Sequence, residues 1–67
     1  MRLLIMSRLG GNKFIETNVL PRIGDKVDMF YKPRPKVVDV LLYVDSNTKS
    51  DLGLSEDDSI DAIAFTE

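Results

Sequence analysis

This chain of 67 residues contains no cysteine, no histidine and no tryptophan. Without cysteine there is no disulfide framework, which fits a reducing compartment. Without histidine, serine and cysteine triads built on an imidazole base are excluded, and the two absences together exclude Cys/His zinc sites. Gly10-Gly11 stands alone, with no Lys-Ser or Lys-Thr after it, so there is no phosphate-cradling loop. The apolar run Leu3-Leu4-Ile5-Met6 stops at Ser7-Arg8. That is too short for a signal-peptide core, and no segment approaches the ~20 apolar residues of a membrane span. The expectation is a non-enzymatic, cytoplasmic protein with no cofactor.

The residues that are present describe one small domain spanning 1–67. Hydrophobic residues make up 43% of the chain and charged ones 30%, too apolar for a disordered tail. A chain of this length buries roughly 60% of its unfolded surface, enough for one thin core. It opens on Met and closes after a strand-like segment, so it is expected to be a complete small product. With neither disulfide nor Cys/His metal site, oligomerisation is the remaining source of extra stability.

Charge is divided along the chain. Eight of the nine Lys and Arg residues lie between Arg2 and Lys36, and eight of the eleven acids between Asp39 and Glu67. Such a split produces an uneven field that steers partners more than it sets a fold.

The pattern of residues reads as mostly β. Leu3 to Ser7 is a buried-strand run, and Gly10-Gly11-Asn12 supplies the positive φ of a tight connection. Lys13 to Leu20 alternates and is rich in β-branched residues, which completes a hairpin. Pro21 stops pairing, Gly24-Asp25 turns, and Lys26 to Tyr31 reads as a third strand. Lys32-Pro33-Arg34-Pro35-Lys36 is a stiff connector. Val37 to Val44 is the most apolar stretch and is expected to be the central strand. Thr48 to Leu52 suits one helical turn closed by Gly53 as a left-handed cap.

Two readings of the final segment compete. Ser55-Glu56-Asp57-Asp58 has the form of a helix N-terminus, whereas Ser59 to Thr66 alternates as a strand does. The strand is preferred, because it completes five short strands in a small, partly open SH3-like barrel or curled sheet. The expected core is Leu3, Ile5, Val27, Val38, Val40, Leu42, Ile60 and Ala62, with Tyr43 and Phe65 unassigned.

Two charged clusters are the candidate contact residues. Lys32, Arg34 and Lys36 form a basic connector after Phe30 and Tyr31. If this segment is a strand, those two aromatics point to opposite faces, and a net charge of −2 opposes general binding to nucleic-acid phosphates. The plain alternative is that charges and prolines guard a loop against edge pairing. Glu56, Asp57, Asp58 and Asp61 form the acidic cluster. They lack the alternating oxygens around a glycine that a calcium loop requires. Here the plain alternative is a solvated loop before an edge strand.

The stretch Leu20-Pro21-Arg22-Ile23-Gly24-Asp25-Lys26-Val27, with Lys36-Val37-Val38-Asp39-Val40 and a closing Ile60-Asp61-Ala62-Ile63-Ala64-Phe65, resembles small β-rich proteins of phage, prophage and bacterial genomes. The resemblance covers about half the chain through an L-P-x-x-G-D-x-V turn. It implies a compact β fold and a phage setting, and it carries no catalytic residues over. The functional expectation is a protein-interaction module that docks on a host or phage protein. The alternatives are a homo-oligomer joined through its basic and acidic patches and, ranked third, a nucleic-acid-binding small barrel.

Overall fold

The computed structural model describes residues 1–29 and 33–67. It contains an open four-stranded mixed sheet and one short helix. The strands are β1 (Arg2–Ser7), β2 (Asn12–Glu16), β3 (Val37–Leu41) and β4 (Ala62–Thr66), in the order β2-β1-β4-β3. The helix α1 spans Ser46–Asp51, between β3 and β4. β1 is antiparallel to β2 and parallel to β4, and β4 is antiparallel to β3.

The two central strands explain the two least polar patterns in the sequence. In β1, Leu3, Leu4 and Ile5 are each at most 2% exposed, and in β4 so are Ala62, Ile63 and Ala64. A strand covered on both faces reads as a continuous apolar run instead of an alternation. Leu3, Ile5, Ala62 and Ala64 face a core built with Met29 and Val37, against which Leu20 and Val27 pack from the β2–β3 connection. Leu4 and Ile63 face a second core with Ile60, on which Val44, Leu52 and Leu54 close around α1. The described residues therefore form three layers: residues 17–29 with 33–36, the sheet, and the 42–61 segment. Each fully buried Leu or Ile contributes roughly 1.5–3 kcal/mol of transfer free energy.

The helix is held at its ends, with no buried residue of its own. Asp45 caps it by accepting the Thr48 N–H at 2.8 Å. Gly53, at φ +73°, ends it, with Gly53 N–H donating to the Ser50 carbonyl and Leu54 N–H to the Lys49 carbonyl. This agrees with a helical turn closed by Gly53. The hairpin turn also agrees, with Gly10 and Gly11 at φ +100° and +91°.

Several expectations are corrected. Among the described residues there are four strands where five were expected, and they form an open sheet and not the partly open SH3-like barrel that was one of the two expected forms. Of the Lys26 to Tyr31 strand, the described part makes only an isolated bridge, Lys26 to Lys36, and Phe30 and Tyr31 lie outside the described residues. β2 ends at Glu16, because its partner β1 begins at Arg2 and the Thr17 hydroxyl turns back on Val19. Of Val37 to Val44 only Val37–Leu41 is strand, and it lies at an edge, with the central places taken by β1 and β4. Val38 and Leu42, assigned to the core, are 50% and 63% exposed: Val38 lies at the register shift of an edge strand, and Leu42 follows the end of β3. The final segment is a strand, as preferred. Among the described residues no helix is long and apolar enough to cross a membrane.

Candidate functional site

The sheet separates the charges. The described residues of the β2–β3 connection, 17–29 and 33–36, carry Arg22, Lys26, Arg34 and Lys36 against Asp25 and Asp28. The 42–61 layer carries Asp45, Asp51, Glu56, Asp57, Asp58 and Asp61 against Lys49 alone. These layers lie over opposite faces, since their apolar residues join the two cores divided by the alternation of β1 and β4. The charge division along the chain thus becomes a division across the sheet.

In the basic layer the backbone imposes an unusual contact. Val27 N–H donates to the Pro35 carbonyl at 3.0 Å, and Val37 N–H donates to the Asp25 carbonyl at 2.8 Å. These bonds flank the bridge between Lys26 and Lys36, making it a non-hydrogen-bonded antiparallel pair. In such a pair the two Cβ atoms lie about 4.5–5.5 Å apart on one face, and like charges there repel. Both lysines are exposed, and neither has an acidic partner among the described residues.

The other charges nearby are occupied. Asp28 lies 3.9 Å from both Lys13 Nζ and Arg34 Nε, and its carbonyl accepts from Lys13 Nζ at 3.1 Å. Asp25 accepts the Arg22 N–H at 2.8 Å and fixes the turn that carries Lys26. Of the expected basic trio, Arg34 and Lys36 belong to this layer and Lys32 lies outside the described residues.

The acidic cluster divides by role. Glu56 and Asp57 sit exposed in a turn closed by Asp58 N–H donating to the Ser55 carbonyl. Lys49 Nζ reaches into this turn, donating to the Asp58 carbonyl at 2.6 Å and the Glu56 carbonyl at 3.4 Å. Glu56 and Asp57 stay exposed and Asp58 is half-buried, while the main chain is held by a cation. Asp61 is bound to the backbone of Arg2 and takes no part in the turn. No group of acids close enough to hold a metal ion occurs among the described residues.

Two concavities flank these layers. One, of about 270 Å³, lies between the β1–β2 face and the 19–28 loop, with Ile15, Leu20 and Val27 in its walls and Lys13 and Asp28 among its lining residues. Its floor residues Leu3 and Ile5 are already covered to within 2%. The other is a shallow polar depression beside Tyr43, lined by Asp45, Lys49 and Asp61. Among the described residues only Asp45 has a clearly shifted acidity: hydrogen bonds from Thr48 hold it below the usual 3.8. That is the ordinary signature of a helix cap.

Sequence reasoning had passed over Lys26, whose signal was the spacing of Gly24-Asp25 and Pro35, two breaks that allow the chain to fold back on itself. The chain matches no family model, no curated protein and no solved structure.

Proposed function

We propose that this protein is a non-enzymatic interaction module, a phage accessory protein in the setting that its turn motif suggests, which docks its basic layer on an acidic surface of a host or phage protein. The Lys26–Lys36 pair carries this reading. Its mutual repulsion is relieved when a carboxylate from a partner lies between the two ammonium groups. Ile23, 69% exposed, and Val19, 75% exposed, supply apolar contact on the same loop. Charge complementarity of this kind speeds encounter and fixes orientation.

The test is a photo-crosslinking residue at Ile23, with a second at Asp57 as a comparison, used in host extract. Adducts at Ile23 that disappear with Lys26→Glu/Lys36→Glu support the reading. Equal labelling from both positions, unaffected by the double substitution, overturns it.

The opposed layers favour one second reading, self-assembly through charge. Because the basic and acidic layers lie on opposite faces, basic-on-acidic stacking of copies is head-to-tail and does not close. It is expected to grow without limit at low salt and dissolve at high salt.

A further inference from the structure

The two edges of the sheet are treated differently. Along β3, pairing is obstructed three times. The Gly24–Val27 segment occupies Val37 and Pro35, with Gly24 N–H donating to the Val37 carbonyl at 2.8 Å. The register with β4 shifts by one residue between Val37 and Asp39, and the Asp39 carboxylate accepts the neighbouring Val40 N–H at 2.9 Å. Covers, bulges and charges of this sort blunt an edge against addition of another strand.

Among the described residues no segment pairs with the outer edge of β2 and no bulge interrupts it, and its charges are Lys13 and Glu16. Its outward groups follow from the hairpin bonds. Thr17 N–H donates to the Met1 carbonyl at 3.0 Å, the Met1 ammonium returns a bond to Thr17, and Ser7 N–H donates to Gly11. Antiparallel pairs alternate, so Lys13 and Ile15 bond inward to β1 while Asn12, Phe14 and Glu16 turn N–H and C=O outward. No hydrogen bond reaches these outward main-chain groups among the described residues. Phe14 sits at the middle of the strand, 39% exposed, with the Arg2 guanidinium 4.4 Å from its ring centre.

We propose that the occupant of this edge is a second copy of the chain, joined β2 to β2 about a two-fold axis through Phe14. The register follows from the strand itself. An axis at Phe14 sets Phe14 against Phe14 and Asn12 against Glu16 of the second copy, so all three outward-facing residues are bonded. Lys13 then faces Ile15, and no like charges meet. An axis at Lys13 opposes two ammonium groups, which is unfavourable. An axis at Ile15 pairs only two of the three outward residues within β2. The product is a closed dimer with one continuous eight-stranded sheet, which supplies the extra burial that a chain of this size lacks. It rests on the sheet edge and is independent of the charged layers. It is also insensitive to salt, where charge stacking is not.

The experiment uses the full chain, whose lack of cysteine makes any introduced thiol unique. Phe14→Cys places the two thiols on the axis, at the ~5.5 Å Cα separation of a bonded pair, within disulfide reach. Asn12→Cys places them about 14 Å apart, four residues along the strand. Oxidation is expected to cross-link Phe14→Cys at least about tenfold faster than Asn12→Cys, since only the former meets disulfide geometry. Phe14→Asp and Phe14→Lys are each expected to be monomeric in sedimentation, and their equimolar mixture to recover the dimer. A wild-type chain that stays monomeric at all concentrations, equal cross-linking rates, or a dimer undisturbed by either charge overturns the proposal.

Discussion

Arg2 and Asp61 hold each other through two bonds that join the start of β1 to the start of β4. The Arg2 N–H donates to Asp61 Oδ2 at 2.7 Å, and the Asp61 N–H donates to the Arg2 carbonyl at 2.9 Å. The side chain thus continues the parallel pairing one step ahead of Ala62, the first residue of β4. Asp61→Ala is expected to cost about 1–2 kcal/mol, as a charge-assisted bond to a main-chain donor does. In a domain of this size each kcal/mol lowers the melting temperature by roughly 4–8 °C. Asp61→Asn keeps an acceptor oxygen and is expected to retain most of the stability. Thermal unfolding of the two variants checks this, and equal losses would contradict it.

Leu42 and Ile63 reverse the weights that the sequence suggests. Leu42 lies in the most apolar stretch yet is 63% exposed, whereas Ile63 is fully buried between Leu4 and the α1 layer. Ile63→Ala is expected to cost 2–5 kcal/mol, on the order of the whole stability of so small a domain. Leu42→Ser is expected to stay within about 0.5 kcal/mol, as surface changes do. Urea unfolding separates them, and a comparable loss at Leu42 would mean that this side chain is covered in solution.

Local signals carried much of this fold, and long-range pairing carried the rest. The Gly10-Gly11 turn, the Gly53 cap and the closing strand were legible because each is decided within a few residues. The centre of the sheet was not. Val37–Leu41 and Ala62–Thr66 are both short apolar strands, and only the parallel pairing of β4 with β1 puts the second in the middle. Ala62, expected in the core, and Ala64, which was not, are among the best-buried side chains. For the candidate site, the division of charge was visible and its placement across the sheet was not. Lys26 and Lys36 meet only because the chain folds back between them.

Asp45 is expected to make α1 sensitive to acid. Bonds from the Thr48 N–H and hydroxyl favour the carboxylate and hold its acidity below the usual 3.8. A depressed carboxyl stabilises the fold fully above its unfolded value, and that contribution is lost as pH falls through the folded value. The Thr48 amide resonance is therefore expected to titrate below pH 3.8, and Asp45→Ala to abolish that titration while lowering stability. A Thr48 amide that does not respond to acid would rule out the cap as the cause.

Lys36→Glu tests whether the basic layer is kept for contact or for folding. In the free chain the substitution turns a repelling cross-strand pair into an attracting one opposite Lys26. Cross-strand charge pairs differ by about 0.2–1 kcal/mol between like and opposite signs. The variant is thus expected to melt slightly higher than the wild type at low salt, and the gain to shrink at high salt as screening removes it. The same substitution is expected to reduce adduct formation from Ile23 in host extract. Higher stability with weaker docking is what a surface kept for binding predicts. A variant that melts lower, or that docks as well as the parent, would show that Lys36 serves the fold, with no part in contact.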